Sequence, residues 1–254
     1  MVTESQSLFN LSGMTALVTG ASKGLGQGCA LALADAGADL VLMARSEDTL
    51  ESVADRVRVK GKAAYTIAVD ATDLENVEEE LAKAPPIHVL VSNAGLNIPK
   101  SMANVTPENF DTIMNVNVRA AFFISKFVTT RMIKESIRGS IIHISSQMGH
   151  VGAPNRTVYC TSKHAIEGLT KAMAVELALH GIRVNSVAPT FIETPMTKPF
   201  FQDDAFKQSV LNQIPLGYIG QIEDVTGAVV YLASPAARLV TGSCLKVDGG
   251  WTAR

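Results

Sequence analysis

Tyr159 and Lys163 stand four residues apart at the start of a stretch of helical period, Val158–His180. That spacing puts both side chains on one helix face, a turn apart. An ammonium beside a phenol favours the phenolate, so the pair is expected to lower the Tyr159 pKa from about 10 toward neutrality. A phenol tuned in this way passes a proton to or from an alcohol oxygen. Before this helix, the apolar run Ser140–Ser145 is followed by Ser146. A hydroxyl at a strand's carboxyl end can hydrogen-bond a substrate carbonyl. Asn117 lies inside a long helical stretch, Pro107–Glu135, where Asn has poor propensity. A buried amide there needs partners, either a backbone carbonyl or a water that feeds the lysine.

A second constellation lies near the N-terminus. Thr15–Thr19 reads as a strand and runs into Gly20-Ala21-Ser22-Lys23-Gly24-Leu25-Gly26, after which a helix begins. Glycines allow a tight turn and a close backbone approach to a pyrophosphate, and the helix N-terminus offers free N–H groups. No Gly-Lys-Ser/Thr follows, so this is not a Walker loop. An NAD site usually carries an acidic residue about 20 positions past the glycines, on the ribose 2′-hydroxyl. Here that place holds Ala44, followed by Arg45, and Lys23 adds a second cation. Two cations and no carboxylate favour a 2′-phosphate and hence NADP(H), with NAD(H) as the alternative. Asp70, followed by Ala71 just past the third strand, reads either as an acceptor for the adenine amino group or as a strand-end cap.

The elements that must position these groups alternate along the whole chain. Asp39–Met43, Ala64–Val69, Val89–Ser92, Arg183–Ala188 and Cys244–Val247 also read as strands. They are apolar throughout, as strands buried on both faces of a parallel sheet are. Helical stretches lie between them: Gly26–Ala36, Thr49–Lys60, Leu74–Ala84 and Ile222–Ala233, besides the two named above. The pattern implies one doubly wound, Rossmann-type α/β domain over residues 1–254. Residues 190–220 break the rhythm with Pro195, Pro199, Pro215 and four phenylalanines, and read as a substrate-covering flap.

Composition excludes several other classes. The formal charge is -2 over 254 residues, too weak a field for a nucleic-acid partner. No apolar run is long enough to span a bilayer. The first ten residues do not read as a secretory signal, so a cytoplasmic setting is expected. The five histidines and the cysteines Cys29, Cys160 and Cys244 do not fall at metal-ligand spacing, so no metal is expected.

Together these residues resemble the short-chain dehydrogenase/reductase family. The likeness rests on TGASKGLG at 19–26, Asn93-Ala94-Gly95, Asn117, Ser146, Tyr159-x-x-x-Lys163, and Val184-Asn185-Ser186-Val187-Ala188-Pro189 with Thr194. The resemblance implies a seven-stranded parallel sheet with helices on both faces, commonly assembled as a homotetramer. Tyr159 would be the general acid/base, Lys163 would hold the nicotinamide ribose, Ser146 would orient the substrate oxygen, and Asn117 would support a relay water. Asn93 would brace the sheet, with Ala94 and Gly95 near the cofactor, and Pro189, Ile192 and Thr194 would contact its nicotinamide end. The family usually has Gly after that proline. Here it is Thr190, which would be strained if a glycine backbone angle were needed.

The implied reaction is hydride transfer between a nicotinamide and a secondary alcohol or ketone. Gln147, His150, Asn97, Arg156 and Phe191, with Ser146, are expected to line the substrate. The polar members suit several hydroxyls or an acid, and the phenylalanines suit an acyl chain. Overall likeness leans to sugars, polyols or sugar acids, with a 3-oxoacyl thioester as the alternative. A non-catalytic NADPH sensor is the reading from another class.

Overall fold

The computed structural model describes residues 8–195 and 197–253. Seven strands form one parallel sheet in the order β3-β2-β1-β4-β5-β6-β7. They are β1 (Thr15–Thr19), β2 (Asp39–Ala44), β3 (Ala64–Ala68), β4 (Val89–Ser92), β5 (Ser140–Ile144), β6 (Arg183–Pro189) and β7 (Cys244–Val247). The order reverses between β1 and β4, which opens the crevice at the carboxyl ends where doubly wound sheets bind ligands.

Side chains alternate across this sheet, and each face carries its own core. Ala16, Val18, Leu40, Leu42, Val89 and Val91 point to one face. There they meet Leu33 of α1 (Gly24–Asp35), Val53 of α2 (Glu47–Val59) and Leu232 of α8 (Ile222–Ala233). Leu17, Val41, Met43 and Leu90 point the other way. They pack on Leu81 of α3 (Leu74–Lys83), Ile124 of α5 (Ala121–Lys134) and Leu177 of α6 (Thr157–Leu177). Burial on both faces explains why the strands read as unbroken apolar runs.

Two stretches differ from the sequence reading. The expected single helix 107–135 is α4 (Pro107–Met114), a π-helical turn (Asn115–Ala120) and then α5. Single π turns cluster at functional sites, and this one carries Asn117. The segment 190–220 is not a bare loop. It contains a 3-10 turn (Lys198–Gln202) and α7 (Asp204–Leu211), capped by Asp203, whose carboxylate accepts from the N–H groups of Ala205 and Phe206. Its rings pack on one another, with Phe191 5.8 Å from Phe206 and also 5.8 Å from Trp251 of the C-terminal turn.

Candidate active site

The phosphate end is built from backbone. β1 delivers Thr19, whose hydroxyl accepts from Asn93 N at 3.0 Å and Ala94 N at 2.9 Å. Asn93 Nδ2 donates back to Thr19 O at 2.9 Å. The two strand ends are thereby locked across the switch point. A β-carbon on Gly26 would come within 2.3 Å of Gly20 O and 2.5 Å of Asn93 Nδ2, so only glycine fits. Gly20 has φ +65, which a side chain would resist. Among the described residues α1 has no side-chain cap, so the N–H groups of its first turn, at Leu25 and Gly26, remain available for an anion. Thr194 lies across the loop, 3.7 Å from a β-carbon placed on Gly24. Ser22 is half-buried, and Lys23 is exposed. This cradle and its donors fit a dinucleotide pyrophosphate.

At the ribose end, Arg45 Nη1 lies 3.9 Å from Asp70 Oδ2, and the arginine side chain is 81% exposed. An ion pair this exposed is worth little and is easily exchanged. Asp70 Oδ1 accepts from Thr72 N at 2.9 Å and Thr72 Oγ1 at 2.7 Å, bonds that hold its carboxyl below the usual range. Its Oδ1 thus acts as the strand-end cap, while Oδ2 keeps its acceptor capacity beside Arg45. Ala71 packs against the core beside it.

The reactive end is built from side chains. The Ser146 hydroxyl donates to Gln147 Oε1 at 2.8 Å and accepts from Met148 N at 3.1 Å. It lies close enough to the Tyr159 phenol to favour its ionised form. Lys163 Nζ donates to Ile144 O at 2.8 Å and sits 5.6 Å from the Tyr159 ring centre. It faces Gly95, as does Asn117 Oδ1, which lies 3.3 Å from a β-carbon placed there. Asn117 Oδ1 accepts from Leu96 N at 2.8 Å, and its Nδ2 donates to Leu96 O at 2.9 Å and Ser162 Oγ at 3.0 Å. Arg156 lies within electrostatic reach of Tyr159.

One expectation is corrected. The Tyr159 pKa does not fall. Burial pushes it up to about 12, opposed by the Ser146 hydroxyl, and the Lys163 ammonium is not a main influence. The amine is itself desolvated, down to about 8, and its bond goes to a carbonyl. A second correction concerns Thr190. It is not among the positive-φ residues, so it carries no glycine-type strain, and its N–H donates to Val247 O at 3.1 Å.

The expected substrate residues divide. Gln147 and Arg156 lie at the reactive end, and Asn97 Oδ1 is buried without a hydrogen-bond partner among the described residues. His150 turns away, toward Cys244 and Glu167. Phe191 is taken up by the aromatic cluster of the flap. Ile192 is buried and bridges to Gly220, while Pro189 ends β6. A cavity of about 360 Å³ is bordered by Thr190, Ile192, Tyr218, Lys246 and Asp248. None of Ser146, Tyr159 or Lys163 borders it, so it is separate from the proton-transfer cluster. The hydroxyls of Thr19 and Ser162 have roles that sequence reasoning did not assign, although both lie inside the motifs, at 19–26 and 159–163.

A family profile described as "Enoyl-(Acyl carrier protein) reductase" matches residues 20–252. L-xylulose reductase of Mus musculus is 40% identical over 243 residues, 96% of this chain and 98% of that protein. A crystal structure of a short-chain type dehydrogenase/reductase from Mycobacterium marinum superposes with TM-score 0.92 at 39% identity, covering 98% of this chain and 99% of that one. A gluconate 5-dehydrogenase from Burkholderia cenocepacia J2315, in complex with NADP and tartrate, superposes with TM-score 0.94 at 33% identity over 99% of this chain and 100% of that one. The chain belongs to the short-chain dehydrogenase/reductase family. It is an NAD(P)-dependent oxidoreductase that interconverts CH–OH and C=O groups.

Proposed function

We propose that the substrate is a sugar, polyol or sugar acid and that NADP(H) is the preferred cofactor. The observation that carries the catalytic assignment is Lys163 standing 5.6 Å from the Tyr159 ring and against the Gly95 turn, with the Ser146 hydroxyl near the phenol. When bound, the nicotinamide supplies or takes the hydride. Tyr159, protonated at neutral pH, gives its proton to the carbonyl oxygen during reduction and recovers it during oxidation. Ser146 turns its hydroxyl from Gln147 to the same oxygen and polarises it. Lys163, whose Nζ donates to Ile144 O, would hold the ribose hydroxyls of the bound cofactor. Asn117 is a positioning residue that holds the 95–96 turn through Leu96.

Lys23 and Arg45 suit a 2′-phosphate, and the ion pair to Asp70 is weak enough to be exchanged for it. The polar groups Gln147, Asn97 and Arg156 suit a polyhydroxylated substrate, as does the likeness to L-xylulose reductase and gluconate 5-dehydrogenase. Residues 190–220 act as the cover of the site. A 3-oxoacyl thioester is the second reading: the matching profile's description names an acyl-carrier thioester, there with an enoyl group, and the phenylalanines suit an acyl chain. Exposed Phe110, Phe122, Val175 and Leu179 on α4, α5, α6 and the turn after it supply apolar surface for the homotetramer that the family commonly forms. Among the described residues no helix is long and apolar enough to cross a membrane.

The test is a panel of ketoses, polyols, sugar acids and a 3-oxoacyl thioester, each run with both nicotinamide cofactors and followed by nicotinamide absorbance. Turnover is expected on a polyhydroxylated compound with NADP(H). Turnover on the thioester alone refutes the substrate class, and an equal preference for NAD(H) refutes the cofactor assignment.

A further inference from the structure

Three donor atoms from three elements converge away from the proton-transfer cluster. His150 follows the 3-10 turn after Ser146, Glu167 lies one turn beyond Lys163 on α6, and Cys244 opens β7. His150 Nε2 is 3.1 Å from Cys244 Sγ and 3.6 Å from Glu167 Oε1. All three donor atoms lie within 4.8 Å of one another. Both neighbours address the same ring nitrogen. In a nucleophilic relay the thiol and the carboxylate would take opposite nitrogens, so that the imidazole could pass a proton between them. Here the three atoms surround a point, as ligands do around a cation.

The spacing suits a tetrahedral ion. Zinc bonds of about 2.0 to 2.3 Å separate such donors by about 3.3 to 3.6 Å, so small side-chain shifts close the site. Glu167 is 6% exposed and is held from behind. Ser186 Oγ donates to its Oε2 at 2.9 Å and its Oε1 at 3.1 Å, the kind of outer-shell bond that aims a carboxylate ligand. One imidazole, one thiolate and one carboxylate form a mixed, borderline-soft donor set that favours zinc over magnesium or calcium. The two anionic ligands balance a dication. The other charged groups within electrostatic reach of His150 and Glu167 are Lys246 on β7 and Lys163, Lys171 and His164 on α6.

We propose that His150, Glu167 and Cys244 bind one Zn2+ per chain, with water completing the tetrahedron. The ion fastens the turn that follows Ser146 to α6 and to the edge strand β7. The positions 150, 167 and 244 are too far apart in sequence to show a ligand spacing.

The test uses the full chain after treatment with a chelator. Zinc is titrated against a chromophoric indicator, and one equivalent per chain is expected to bind. Cys244→Ser and His150→Gln are expected to weaken binding at least a hundredfold, the upper end of what losing even an outer-shell partner costs. Cys160→Ser is expected to bind zinc like the parent. A separate measurement needs no change at the site: Co2+ added to Cys160→Ser protein is expected to give a thiolate-to-metal charge-transfer band. Absence of stoichiometric zinc uptake, uptake unaltered in Cys244→Ser, or a cobalt spectrum lacking the thiolate band each overturns the assignment. Where Cys244→Ser fails to fold, the cobalt spectrum decides.

Discussion

The two ends of the crevice solve their tasks with different materials. The phosphate end relies on main chain: Gly20, Gly26 and the first turn of α1, locked by Asn93 to Thr19. The reactive end relies on side chains from the turn after β5, the π turn and α6: Ser146 is held by the turn that follows it, and Asn117 and Lys163 by partners on other elements. A site made of backbone tolerates no added atom. A site made of side chains tolerates volume changes better but depends on its supporting bonds.

The comparison is broken most sharply at Tyr159. Tyr159→Phe keeps the ring and removes the proton, so turnover should fall by about a hundred- to ten-thousandfold while nucleotide binding survives. A loss of nucleotide affinity, measured by fluorescence titration, would mean that the two ends are not separable. At the backbone end, Gly26→Ala should instead cost about 3 kcal/mol of stability, because the methyl meets Gly20 O at 2.3 Å. That lowers the thermal midpoint by about 6 to 12 °C.

Between the ends, His143 is fully buried with Ser125 at 3.1 Å and Thr170 at 2.9 Å on its two nitrogens. Burial, and then the field of Lys163, holds its pKa down at about 4 from 6.5. Between pH 6.5 and 4 the unfolded chain binds the proton and the folded chain does not. The associated stability is therefore present above 6.5 and lost as pH falls, about 3 kcal/mol over the window. Thermal midpoints across that range should slope accordingly, and His143→Gln should flatten the slope.

Smaller effects sharpen the picture. Arg45→Ala should weaken NADP binding about tenfold and leave NAD binding unchanged in calorimetry, since an exposed charge-assisted contact is lost. Ser162→Ala removes one of the three bonds that hold the Asn117 amide. About 1 kcal/mol, or roughly fivefold in kcat, should go, with KM for the nucleotide little altered.

The same contrast explains what the chain alone discloses. Glycine spacing and apolar runs are local signals, so the turn at 20–26 and all seven strands were readable to within a residue or two. The π turn was not, because it lies in the backbone hydrogen bonding of Asn115–Ala120, which side-chain period does not report. The direction of the Tyr159 pKa was misread for a related reason. The i,i+4 spacing places Lys163 near the ring, but desolvation and the Ile144 carbonyl belong to the sheet underneath. Sequence position puts His150 and Phe191 next to site motifs, whereas the structure turns them toward β7 and the tail.

The contact between Phe191 and Trp251 has a practical outcome. Trp251 is the chain's single tryptophan, and its indole centre lies 5.8 Å from the ring that begins the flap. Intrinsic emission from this protein is therefore a one-probe signal of the contact between the tail and residue 191. A change at that contact on adding nucleotide or substrate can be timed in stopped flow without attaching a dye.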